Sequence, residues 1–181
     1  IDISPVQWKV NGSGIYTRMI VEEAIKRGYH FDAFYVPSIG LDTSIKEFLL
    51  KKDISLISLD NISNVIEYVE SKKYEKIYFG SELNSGVNLP SSITPIITIH
   101  DLRFIEVPND KTRYLYRRTP FQRIKQWGMT VMFPNYNSFL QKRNIQRLIK
   151  HPKLQIVTVS NHTRYSILQT FSQISPERIN V

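Results

Sequence analysis

Cysteine is absent from all 181 residues, which excludes a disulfide framework and any thiolate metal site. No apolar run approaches the roughly 18 to 20 residues that a membrane-spanning helix requires. Both absences fit a reducing, cytoplasmic compartment. Histidine is scarce: His30, His100, His151 and His162 are the only four. They lack ligand spacing with one another, and no carboxylate cluster completes a site, so no metal cofactor is expected.

One absence is local. Between Lys111 and Lys150 there is no Asp or Glu, yet ten Lys and Arg side chains stand there. The rest of the chain holds 14 of the 24 basic residues against all 16 acidic ones and is close to neutral. The net charge of +8 therefore belongs to one basic region, whose field attracts phosphates, anionic lipid or nucleic acid. Tyr114, Tyr116, Phe121, Trp127, Met129, Met132, Phe133 and Tyr136 are interleaved with those charges. Basic and aromatic residues together suit an anionic membrane surface, with a solvated helical face as the alternative.

What remains is enough for one sizeable core, since 41% of the side chains are apolar, and one domain over residues 1–181 is expected. The chain opens on Ile1 in what reads as the tail of a strand and stops at "ERINV", where a further apolar segment begins. A piece of a longer protein is the expectation. Strand-length apolar runs lie at 31–36, 54–58, 76–79, 95–99 and 154–159, bounded by Gly, Pro, Asp or Asn. Helical patterns separate them. Thr17, Ile20, Val21, Ala24 and Ile25 trace one buried helical face, with Gly28 placed for a left-handed cap; Ile62, Val65, Ile66 and Val69 trace another. Ser44 and Glu47 have capping-box spacing. Alternating strands and helices predict an α/β fold with a doubly wound parallel sheet. Residues 80–92 read as a loop, and 111–150 as a helical excursion interrupted near Pro120 and Pro134.

In such a sheet ligands collect at the carboxyl ends of the strands, where helix N-termini present free N–H groups. Three segments fall there. "NGSGIYTR" (11–18) opens the first helix, and Gly12 and Gly14 allow close approach of an anion; a flexible loop with a cap is the plainer reading. His100 and Asp101 follow the strand "PIITI" directly. A histidine there can donate to a hydroxyl or phosphate while the carboxylate binds a hydroxyl or fixes the tautomer, although a structural pair is the commoner outcome. Ser160, after "IVTV", caps the next helix, with Arg164 one turn in.

These segments, in this order, resemble the N-terminal domain of glycosyltransferase family 4, the group 1 glycosyltransferases of GT-B fold. Gly12, Gly14, Tyr16 and Arg18 match that family's Gly-x-Gly-x-Tyr-x-Arg pattern; His100, Asp101 and Leu102 match its His-Asp-Leu step; Val159 and Ser160 match its Val-Ser turn. The resemblance implies a Rossmann-like, acceptor-side domain of a retaining enzyme that moves a sugar from a nucleotide diphosphate sugar to an acceptor hydroxyl, on a glycan or lipid-linked acceptor, without a metal or other cofactor. It implies His100 beside the transferring sugar as the catalytic residue. Gly12, Ser13, Gly14, Tyr16, Arg18, Asp101, Ser160 and Arg164 are then substrate-binding, in a cytoplasmic protein for which the basic block at the inner membrane face is one reading and a solvated helical face the other. The family's donor-binding domain would lie outside this chain, so the chain alone is expected not to turn over. Two rivals stand beside it: a nucleic-acid-binding α/β module, which accounts for the charge but leaves His100 idle, and a sugar-nucleotide epimerase of the same architecture.

Overall fold

The computed structural model describes residues 1–7, 12–58, 61–81, 89–108, 110, 112–116 and 119–181. Asn11 of the glycine motif, most of the loop read at 80–92, and Lys111, Arg117 and Arg118 of the basic block lie outside the described residues.

The expected strands form, several of them trimmed: β1 Ala33–Tyr35, β2 Leu56–Ser58, β3 Lys76–Phe79, β4 Thr94–Ile99 and β5 Gln155–Thr158, with β6 Ile179–Asn180 at the apolar segment near the end. Every pairing is parallel. Strands β1 and β2 pair with each other, and β3, β4, β5 and β6 are neighbours in that order. The extended residues Ile1–Ile3 join the two groups, because Asp2 bridges Phe34 on one side and Phe79 on the other. Backbone bonds from Asp2 N to Tyr78 O (2.8 Å) and from Ile3 N to Phe34 O (3.0 Å) hold that joint. Counting Ile1–Ile3 as the first strand, the spatial order is 3-2-1-4-5-6-7, which is Rossmann-like. The order reverses at this first strand.

Helices α1 Ser4–Gln7, α2 Gly12–Lys26, α3 Thr43–Leu50, α4 Ile62–Ser71, α5 Arg103–Glu106, α6 Pro120–Met132, α7 Pro134–Ile149 and α8 Asn161–Thr170 make the connections. Val21 of α2 and Leu49 of α3 bury against Ile3 and Ala33. On the other side Val65 and Val69 of α4, Ile145 and Ile149 of α7 and Ile167 of α8 bury against Ile77, Phe79, Ile97, Ile99 and Ile156. Ala33 belongs to the first cluster and its neighbour Phe34 packs on the second. Successive strand residues face opposite ways, so the sheet is covered on both faces.

Local chemistry sets the boundaries. Gly28, at φ 71, ends α2 with bonds from Gly28 N to Ile25 O and from Tyr29 N to Ala24 O, each 3.0 Å, the two-bond glycine termination. Pro120 and Pro134 each open a helix, where the missing N–H costs nothing, and a short 3-10 turn at Arg113–Tyr116 precedes them. The capping-box expectation needs correcting: Asp42 caps α3, its side chain accepting from Ser44 N, and Ser44 already lies inside the helix. Asp42 wins because a carboxylate directly before the helix meets the free N–H groups and the positive end of the dipole together. Among the described residues no helix is long and apolar enough to cross a membrane.

Candidate functional site

The three segments singled out in the sequence meet at the carboxyl edge of the sheet. Gly80 leaves β3, His100 leaves β4 and Ser160 follows β5, while α2 comes after Ile1–Ile3 and α1 in the chain. His100 Nε2 lies 2.9 Å from Gly80 O. A carbonyl only accepts, so Nε2 carries the proton, and Nδ1 is left to accept from a hydroxyl or, in the imidazolium, to donate to an anion. The ring of Tyr16 stands edge-on to the imidazole, centroids 5.4 Å apart and planes at 86°. Partial burial raises the Tyr16 phenol above its ordinary range, so it is a neutral hydroxyl near pH 7.

A hydrogen-bonded chain ties His100 to α8. Thr163 Oγ1 donates to His100 O at 3.1 Å, Ser160 Oγ lies 3.1 Å from Thr163 Oγ1, and Thr163 N donates to Ser160 Oγ at 3.2 Å. Since the Thr163 hydroxyl proton points at His100 O, the Ser160 proton goes to Thr163 Oγ1. Ser160 is thus both the N-cap of α8 and a brace for the backbone of His100.

On the other side, Gly80 lets α2 approach closely. A Cβ at Gly80 would lie 2.1 Å from Thr17 Oγ1, 3.1 Å from its Cβ and 3.2 Å from its Cγ2. Thr17 is fully buried, so the first turns of α2 sit directly on the end of β3. Gly12, Ser13 and Gly14 form the first turn of α2, with Gly12 exposed and Gly14 buried.

Three of the sequence candidates point elsewhere. Arg18 forms a surface ion pair with Glu22 at 2.8 Å. The exposed Asp101 accepts from Arg103 N at 2.9 Å, starting α5. Arg164 Nε reaches Ile179 O at 3.4 Å, and its guanidinium lies 5.7 Å from the Tyr165 ring centroid. Conversely Gly80, Thr163 and Asp2 belong to no motif of the sequence, and Thr17, expected only on the buried face of α2, meets Gly80. The glycine ending "KIYFG" and the Ser-x-x-Thr spacing of Ser160 and Thr163 were the available signals; nothing marked Asp2. Its buried carboxyl accepts from Ser4 N at 2.8 Å, and burial, opposed by that bond, raises its pKa. Nearby, burial pushes the Tyr78 phenol up to about 12, opposed by its bond with Thr98 Oγ1 at 2.7 Å.

Among the described residues no group of three or more His, Asp or Glu could hold a metal ion. The arrangement offers one imidazole, hydroxyls and the N-termini of α2 and α8, a set suited to neutral, hydroxyl-bearing ligands and to an anion held by helix dipoles. A hollow of ≈ 820 Å³ lies away from it, lined by Ile20 and Ala24 of α2, Tyr68 and Val69 of α4, and Phe34 and Tyr74. There Tyr68 OH donates to Asp32 Oδ2 at 2.7 Å, and neither His100 nor Tyr16 lines it.

No family model matches the chain, and neither the curated proteins nor the solved structures include a match.

Proposed function

We propose that the chain is the acceptor-side domain of a retaining, metal-independent glycosyltransferase that uses a nucleotide diphosphate sugar, with His100 beside the transferring sugar. One observation carries this reading: Tyr16 and His100 come from segments 84 residues apart and stand in contact at the carboxyl edge of a parallel sheet, beside the point where strand order reverses. Ligands of open α/β sheets bind at that point. The chemistry fits the groups present. An oxocarbenium-like sugar and a departing diphosphate need hydroxyls positioned and negative charge stabilised. Nδ1 of His100 can hold a sugar hydroxyl, and the N-terminus of α2 favours an anion. The proposal assigns donor binding to a second domain.

Chemical-shift mapping of the 181-residue chain tests it, with the His100 ring and the Gly12–Tyr16 amides followed during titration with simple glycosides, the acceptor-side ligands. Saturable shifts at both, lost in His100→Ala, support the reading. Shifts confined to other regions, or none at millimolar ligand, reject it.

A further inference from the structure

Helix α6 is amphipathic the wrong way round for a helix packed on a core. Stepping about 100° per residue, Trp127, Val131, Ile124, Gly128, Phe121 and Met132 fall on one arc of about 140°. The side chains of that arc face solvent: Phe121 is 77% exposed, Met132 71%, Ile124 70% and Trp127 51%. The side turned inward carries Gln126 and Thr130 beside the half-buried Met129. Thr130 is buried, its Oγ1 donating to Gln126 O at 2.9 Å and accepting from Gln126 Nε2 at 3.3 Å. Phe133, just past the helix end, and Tyr136 and Phe139 of α7 are exposed as well. No charged residue falls within the arc, while the exposed Lys125 and Arg123 border it on either side.

A row of exposed large apolar side chains on one helix calls for a partner. Charge complementarity selects it. The arc lies in the 40-residue stretch that carries ten cations and no acid, so a second copy would bring two like-charged blocks together. Nucleic acid would engage the rim cations and leave Ile124, Val131 and Met132 without a role. An anionic bilayer offers phosphate at the rim and hydrocarbon at the centre in one plane. We infer that α6 is an interfacial helix, lying flat on anionic lipid with Phe121, Ile124, Trp127 and Met132 at the headgroup–acyl boundary. This goes beyond the glycosyltransferase reading and does not depend on it.

The chain contains two tryptophans, so Trp8→Phe leaves Trp127 as the reporter. Vesicles of phosphatidylglycerol and phosphatidylcholine are compared with pure phosphatidylcholine at low salt. Partition onto the anionic vesicles only is expected, with a blue shift of Trp127 and quenching by brominated acyl chains, which needs no further variant. The double variant Phe121→Asp/Ile124→Asp, at exposed positions, should lower partition by about a hundredfold. Leu50→Asp, at an exposed apolar residue of α3, should leave it unchanged. The inference is overturned by absence of partition, by partition indifferent to the double variant, by retention on heparin equal to that on vesicles with no spectral shift, or by a dimer in sedimentation that Ile124→Asp dissolves.

Discussion

Replacing Gly80 by alanine places a methyl group 2.1 Å from the Thr17 hydroxyl, far inside van der Waals contact. Thr17 is fully buried at the second turn of α2, so relief requires its side chain to turn about χ1 and α2 to give way at the 3.1 Å contact with the Thr17 Cβ. Overpacking of this kind costs about 1–3 kcal/mol, a fall in Tm of roughly 2–4 °C per kcal/mol for a chain of this length. Thr17→Gly in the same background removes all three clashing atoms and should recover most of that loss. The effect also reaches the site, since Gly80 O holds His100 Nε2 and Tyr16 precedes Thr17. The assay is urea unfolding of the two single variants and the double variant, with the His100 ring resonances recorded in each. A coupling of about 1 kcal/mol or more is expected. A stable Gly80→Ala protein with unmoved His100 signals and no coupling to Thr17 would refute the close approach of α2 to the site.

Other perturbations test the supporting structure. Lys73, at φ 56, ends α4 in the left-handed region with a bond from Tyr74 N to Val69 O, so Lys73→Gly should stabilise by roughly 0.5–1 kcal/mol in thermal unfolding. The Arg178 guanidinium donates to Leu154 O (2.9 Å), Ile149 O (3.2 Å) and His151 O (2.6 Å); Arg178→Met should destabilise by about 3 kcal/mol or more, seen as a lower urea midpoint. The Asp2 carboxyl has its pKa raised by burial, so its contribution is fully present below the unfolded carboxylate pKa and is lost as pH rises through the folded value. Asp2→Asn should therefore be more stable than the parent at neutral pH, and the gap should close on acidification toward pH ~4; a constant gap across that range would contradict the assignment.

The sheet was legible because its signals are local. The apolar "KIYF" bounded by Gly80 gives β3, the spacing of Ile62, Val65 and Val69 gives α4, and Pro120 and Pro134 mark where the excursion breaks into helices. Two of the three candidates that point away from His100 do so for local reasons. Arg18 is two residues beyond Tyr16, about 200° around a helix, so only one of them can face His100. Asp101 follows His100 by one residue and is turned into its own backbone bond. The brace from Ser160 through Thr163 to His100 O, and the seat of Thr17 on Gly80, join segments 63 residues apart in each case. Contacts at such separation leave no periodic trace. The inverted face of α6 was equally hidden, because spacing marks an apolar stripe without saying whether it faces core or solvent.

The central claim is that His100 faces a sugar in a transferase cleft. It is tested most directly by sugar-nucleotide turnover with the donor-binding domain present, comparing the parent with His100→Ala. A fall in kcat of about a hundredfold or more with unchanged unfolding temperature is predicted, as for removal of one group that stabilises the transition state. Full activity in a folded His100→Ala protein would contradict the account and leave the imidazole as a bracket between β3 and β4.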